Sequence, residues 1–281
     1  MSGTTVWVNG SLVDEDERSL SALDHGLTVG DGAFETCKVI DGEIFGRTRH
    51  LRRLERTLAG LGLTGFDADR LDEGIDAALA AAGPMPLGRI RWTVTGGVGP
   101  LGSDRTSGEL TYVIGLVPAK PLPSHARVAT VPWTRNEQAA TAGLKTTSYA
   151  DNVIALARAR EHGADEAVLR NTRGELCEGT GSNVFVVQDG VILTPPLESG
   201  CLAGITRAVT IEWCREAGLE VREQTLPGEA LVTSDEAFLT NTMRDVQPIA
   251  TVDGDSLAEE MPVTAQAAAI FAERVAERMD P

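Results

Sequence analysis

The chain has 281 residues, 42% of them hydrophobic and 23% charged, enough for one large domain or two ordinary ones and too apolar for intrinsic disorder. Lys and Arg total 25 against 41 Asp and Glu, a formal charge of −16, the wrong sign for gripping nucleic-acid phosphates by an overall field. The opening MSGTTVWVNG lacks a basic segment followed by an apolar one, and no apolar run nears the roughly 20 residues that span a bilayer, so neither nucleic acid nor membrane is an expected partner and the expected location is cytoplasmic.

In chain order, Val6-Trp7-Val8 runs into Asn9-Gly10 and out through Leu12 and Val13, the strongest two-residue signal for a β-hairpin. Phe34 to Ile40 meets Asp41-Gly42 and resumes with Glu43-Ile44-Phe45, a second hairpin. Leu51, Leu54, Leu58 and Leu61 then define one apolar face of a helix, and a further helix is expected around Ala77 to Ala82. From Arg89 to Thr95, Ile90, Trp92 and Val94 alternate with Arg89, Arg91, Thr93 and Thr95, a strand with two chemically different faces. Val117 to Ser124 holds three prolines and no periodicity, which reads as a stiff linker. The expected division is a small N-terminal domain at 1–117, a linker at 118–123 and a larger domain at 124–281. In the larger domain, strands are expected near Arg127 to Pro132, Glu166 to Leu169, Asn183 to Val187 and Val191 to Leu193. Helices are expected from Ala150 to Glu161, from about Gly204 to Gly218, and from Thr264 to Met279.

Several motifs have ordinary explanations. The glycines between Gly96 and Gly102 lack phosphate-loop spacing and read as a mobile loop. His25, His50, His125 and His162 show no HxH or HExxH spacing, and Cys37, Cys177, Cys201 and Cys214 no CxxC pair, so no metal is expected and the thiols are expected reduced and mostly buried. No GxSxG elbow supports a serine hydrolase.

Lysine usage is more informative. Only Lys38, Lys120 and Lys145 are lysines, and arginine fills the other basic positions. A lysine kept in such a chain is a candidate for amine chemistry, since only an amine forms a Schiff base with a carbonyl. Lys145, in Gly143-Leu144-Lys145-Thr146-Thr147-Ser148-Tyr149, is the foremost candidate. Downstream lie Glu178 in a run of small residues and Gly204-Ile205-Thr206 opening a helix, whose N–H groups suit a phosphate.

Lys145 with its flanks, CEGTGSNVF, Thr194-Pro195-Pro196, Leu202-Ala203-Gly204-Ile205-Thr206-Arg207 and Asp235 to Thr242 resemble successive motifs of the class IV aminotransferases. Gly30 to Thr36 and His50-Leu51-Arg52-Arg53-Leu54 match the N-terminal pattern in order, so the resemblance covers nearly the whole chain. It implies an α+β, two-domain, fold-type IV pyridoxal phosphate enzyme, with a small α/β domain and a larger β-barrel-like domain with flanking helices. It implies that Lys145 bonds the cofactor and later moves the substrate proton, and that Glu178 pairs with the pyridine nitrogen. Arg53, Gly204, Ile205, Thr206 and Thr242 would hold the phosphate, Leu202 would pack on the ring, and Tyr149 would face the ring oxygen. A homodimer with a shared active site is a further implication.

For substrate, Phe34, Glu35, Arg89, Arg91 and Arg244 are the candidates. Arg91 matches the arginine of branched-chain aminotransferases, whereas Lys145-x-x-Ser148 matches the D-amino-acid and lyase branches. The favoured expectation is a transaminase for D-amino acids, and for (R)-amines, with pyruvate or 2-oxoglutarate as acceptor. An aminodeoxychorismate lyase, supported by FLTNTMRDVQPI, is the alternative. A branched-chain L-amino-acid aminotransferase comes third, and a catalytically silent cofactor- or partner-binding homologue is the reading from another class.

Overall fold

The computed structural model describes residues 3–105 and 108–281. The chain divides into two compact units: Met1–Pro121 with Leu144–Tyr149 and Met279–Pro281, and Leu122–Gly143 with Ala150–Arg278.

Unit 1 begins with β1 (Thr5–Val8) and β2 (Ser11–Val13), joined by Asn9 and Gly10 with φ of 49° and 110°, the left-handed pair that a tight hairpin demands. A single turn, α1 (His25–Thr28), precedes β3 (Gly32–Ile40) and β4 (Glu43–Ile44). Then come α2 (Arg47–Leu61), α3 (Ala68–Ala82), β5 (Leu87–Thr95) and β6 (Thr111–Pro118). The six strands are antiparallel in the order β2-β1-β6-β5-β3-β4. Alternation sorts their side chains. Ala33, Cys37, Val39, Ile90, Trp92, Val94, Ile114 and Leu116 form the core with Leu54, Leu58, Leu71 and Ile75 of the two helices. Phe34, Thr36, Lys38, Arg89, Arg91 and Thr93 share the opposite face, with Thr36 across from Arg91 and Lys38 across from Arg89.

Three differences from the sequence expectation have local causes. Helix α3 starts well before Ala77, because Asp67 accepts the Arg70 N–H as an N-cap. Strand β6 is unexpected: Thr111 to Val117 has few polar positions to mark a period of two, and its end takes Val117 and Pro118 out of the expected linker. Residues 144–149, placed in the larger domain by the sequence boundaries, group with unit 1. They run along the start of β3, where Phe34 N donates to Lys145 O at 3.1 Å and Thr147 N to Gly32 O at 2.8 Å.

Unit 2 contains β7 (Ala126–Arg135), α4 (Ala150–Glu161), β8 (Glu166–Asn171), β9 (Leu176–Gly179), β10 (Asn183–Gln188) and β11 (Val191–Thr194). Next come α5 (Ile205–Glu216), β12 (Val221–Glu223), the short α6 (Ala230–Thr233), β13 (Glu236–Asn241), β14 (Asp245–Val252), β15 (Asp255–Ser256) and α7 (Pro262–Glu277). The main path of its sheet is β12-β11-β10-β13-β14-β7-β8-β9, with β15 on β14. Gly179 N donates to Ser182 O at 2.8 Å, bringing the end of β9 back beside β10, so the sheet curls. Val128, Val168, Val184, Val186, Leu239 and Ile249 fill one core, and α5 meets α7 through Trp213 and Phe271. All four cysteines are free and buried. Among the described residues no helix is long and apolar enough to cross a membrane.

Candidate active site

Unit 1 gathers four of the candidate residues around one ring. Lys145 Nζ lies 4.4 Å from the Phe34 ring centroid and 3.5 Å from the Tyr149 hydroxyl. Phe34 and Tyr149 meet edge to face at 5.0 Å, and the Arg91 guanidinium stacks 3.6 Å from the centroid of Phe34. Arg91 has one polar contact, Nε to Thr93 Oγ1 at 3.4 Å, and no carboxylate partner among the described residues. Partial desolvation pulls its pKa below the usual arginine value, although solvent still reaches the side chain. A cation in that condition, beside a half-buried amine, is suited to a carboxylate ligand.

On the other face of β3, Glu35 is fully buried. Its Oε1 accepts from Arg53 Nε at 2.8 Å, and its Oε2 from Arg53 Nη2 at 2.6 Å, with His50 Nδ1 2.7 Å from the same Oε2. Burial alone would raise the Glu35 pKa, but Arg53 and His50 outweigh it and lower the value to about 2. His50 is shifted down, since burial disfavours its charged form more than Glu35 supports it. Arg53 is the buried arginine of the α2 cluster, while Arg49, Arg52 and Arg56 sit nearer solvent. Helix α2 also reaches Lys145 through Thr57, whose Oγ1 accepts the Lys145 N–H at 3.4 Å.

Unit 2 holds the acidic and phosphate-type candidates. Glu178, at the end of β9, pairs through Oε1 with Arg135 Nε at 3.0 Å and accepts the Leu202 N–H on Oε2 at 2.9 Å. The nearby Cys177 and Cys201 thiols are driven up by burial and by Glu178, so they are poor nucleophiles. Helix α5 starts at Gly204 with no side-chain cap, and Ile205 and Thr206 of its first turn are buried. A Cβ on Gly204 would stand 2.0 Å from Asn183 Oδ1, while Asn183 Nδ2 donates to Leu202 O at 2.8 Å. Only glycine lets the helix start approach Asn183 so closely. Thr242 lies half-buried in the turn between β13 and β14.

Two substrate candidates are corrected by these positions. Glu35 lies on the core face of β3, both oxygens engaged, so it holds Arg53 and does not meet a substrate. Arg244 turns inward: Nη1 bonds Gln247 Oε1, Nη2 donates to Asp165 O at 3.2 Å, and Glu166 is 3.7 Å away. Arg89 shares the face of Arg91 and, like it, is exposed and lacks a carboxylate partner among the described residues, so it stays a candidate beside it.

Sequence reading missed Arg135, the partner of Glu178, and Glu166. The buried Glu166 accepts Thr180 N and Oγ1 and, at 3.0 Å, Ser182 Oγ, which fastens the turn following Glu178. A charged residue opening an otherwise apolar strand was the one available signal for Glu166. Arg135 carried none, since its partner lies 43 residues away in sequence.

Unit 1 thus holds an amine flanked by an aromatic pair and an arginine, with a buried guanidinium on a helix, and unit 2 holds an oriented carboxylate and an uncapped helix start. The sequence matches the family model described as amino-transferase class IV over residues 32–252. The chain belongs to the class IV aminotransferases, which use pyridoxal phosphate, and its mixed helix and sheet architecture is that of fold type IV. It is 37% identical over 255 residues, 89% of this chain and 88% of the relative, to a putative branched-chain-amino-acid aminotransferase of Methanocaldococcus jannaschii. A D-alanine aminotransferase of Staphylococcus haemolyticus is 31% identical over 277 residues, covering 94% and 95% of the two chains. The branched-chain aminotransferase of the thermophilic archaeon Thermoproteus uzoniensis, solved with norvaline, superposes with a TM-score of 0.89 at 30% identity, covering 96% of this chain and 94% of that one.

Proposed function

We propose that this aminotransferase moves the amino group of a small D-amino acid, or of an (R)-amine, to a 2-keto acid such as pyruvate or 2-oxoglutarate, with Arg91 recognising the carboxylate of the acids. The carrying observation is the Lys145, Phe34, Tyr149, Arg91 cluster, which sets a cation without a carboxylate partner among the described residues beside a lysine amine with a phenol at hand. The D-amino-acid reading adds the Lys145-x-x-Ser148 spacing and the D-alanine aminotransferase relative. Transfer to a branched-chain L-amino acid is the second reading, favoured by the more similar Methanocaldococcus jannaschii relative.

The bound cofactor supplies an electron sink that acidifies the substrate Cα–H. Lys145 would hold the cofactor through its Nζ and, as a free amine, would carry the Cα proton. Tyr149 steadies the lysine amine through its hydroxyl. Glu178, oriented by Arg135 and Leu202 N, would pair with the pyridine nitrogen and keep it protonated. The first turn of α5 and Thr242 offer N–H and hydroxyl donors to phosphate, and Arg53, fixed by Glu35, offers its charge. The homodimer belongs to the same proposal: Leu20, Leu23, Leu27 and Leu101 of unit 1 are 44–81% exposed, large apolar side chains that a second copy would cover.

Turnover with D-alanine and with L-leucine, 2-oxoglutarate accepting, tests the reading. Faster D-alanine turnover supports it, faster L-leucine turnover selects the second reading, and pyruvate release from aminodeoxychorismate without amino transfer would replace both with the lyase.

A further inference from the structure

Helix α2 carries Arg53, His50 and Thr57, yet its first turn is built unfavourably. It has no acidic residue, it opens with Arg47 and Arg49, and its N-cap, Gly46, has φ of +67° and no side chain to cap with. Cations there oppose the helix dipole and leave N–H groups wanting acceptors. The missing acceptors come from the last three residues of the sequence. Gly46 N donates to Met279 O at 2.7 Å, Thr48 N to Asp280 Oδ1 at 3.0 Å, Thr48 Oγ1 to Asp280 Oδ2 at 2.5 Å, and Arg49 Nε to Pro281 O at 2.9 Å. Asp280 thus does for α2, from 232 residues away, what an N-cap Asp ordinarily does from the adjacent position. Arg47 also pairs with Asp72 and Asp76, two partly exposed ion pairs of small worth.

We infer that the Met279–Asp280–Pro281 segment is a positioning element for phosphate recognition. Asp280 acts as a remote N-cap that fixes the axial position of α2 and, through it, the depth at which Arg53 is presented. The inference rests on the reading of Arg53 as a phosphate residue. Its rationale is geometric: the segment bonds the turn that leads directly into His50 and Arg53, and the fixed partner of Arg53, Glu35, belongs to the sheet. A slipped helix keeps its core contacts but offers its guanidinium in the wrong place.

The test titrates the full chain, freed of cofactor, with pyridoxal phosphate and with pyridoxal, which lacks the phosphate. In Asp280→Ala the Kd for pyridoxal phosphate should rise about 3- to 30-fold, the range of a lost cap, while that for pyridoxal stays within about twofold. Asp280→Asn, which keeps an acceptor for Thr48 N, should restore most of the discrimination and guards against a variant that fails to fold. Equal weakening toward both ligands in Asp280→Ala, or no weakening, would overturn the inference, since a purely structural role does not distinguish them. Arg53→Gln is the control: if it leaves the preference for the phosphorylated ligand intact, the phosphate reading of Arg53 fails, and this inference with it.

Discussion

Glu35 shows how a single residue can be misread and still matter. Its buried carboxylate holds Arg53 by two bonds and His50 by a third contact, so truncation leaves a buried guanidinium without its anion. Glu35→Ala should cost about 3–5 kcal/mol in denaturant unfolding, as expected for breaking a buried pair from one side; a loss below about 1 kcal/mol would mean that water replaces the carboxylate. The pH dependence has a definite sign. Because the folded pKa of Glu35 is about 2 against an ordinary glutamate value of 4.5, its stabilisation is full above 4.5 and is lost as pH falls toward 2. His50, shifted below 6.5, acts in the same direction, since the unfolded chain takes up its proton first as pH falls through 6.5. Unfolding midpoints in the acid range should therefore decline with falling pH, and Glu35→Gln should flatten the lower part of that decline. Arg91 gives the matching prediction for substrate: Arg91→Leu should raise KM for the keto acid by about 10- to 100-fold, the worth of a charged hydrogen bond, and an unchanged KM would remove it from substrate recognition.

At the scale of elements, the uncapped start of α5 carries the phosphate argument. Gly204→Ala would bring a methyl against Asn183 Oδ1, so either Asn183 or the helix start must move. Pyridoxal phosphate affinity should fall by about tenfold or more, on the scale of one or two lost hydrogen bonds to a charged group, with pyridoxal little affected. Elements with strong local codes were legible in the sequence: the Asn9-Gly10 and Asp41-Gly42 turns, the leucine stripe of α2, and α4 from Ala150 to Glu161. Strand β6 was not, because both of its faces are largely apolar. Ordered motifs named the candidate residues, and four of them, Lys145, Tyr149, Phe34 and Arg91, lie together in unit 1. Their supports were not legible. Arg135 with Glu178, Glu166 with Thr180 and Asp280 with Thr48 are distant pairs, and in each the carboxylate or guanidinium acquires meaning only when folding brings its partner within reach.

At the scale of the whole molecule, the chain joins a strongly negative net charge to a few cations that are buried or lack a carboxylate partner among the described residues, the ones proposed to meet an anionic cofactor and acidic substrates. A protein of net charge −16 gains nothing from its overall field in attracting such ligands, so under this proposal individual local cations supply the attraction. Light scattering should show a dimer, and replacing Leu27 and Leu101 by Asp should produce monomers; an unaltered dimer would place the contact elsewhere on the surface. The most direct test of the central claim is the visible spectrum of the purified holoenzyme before and after excess D-alanine, with no keto acid present. The account predicts that the cofactor's absorption shifts to that of its amine form, with one pyruvate released per bound cofactor, and that Lys145→Ala abolishes the change. A cofactor band that neither D-alanine nor L-leucine moves would contradict amino transfer by this chain.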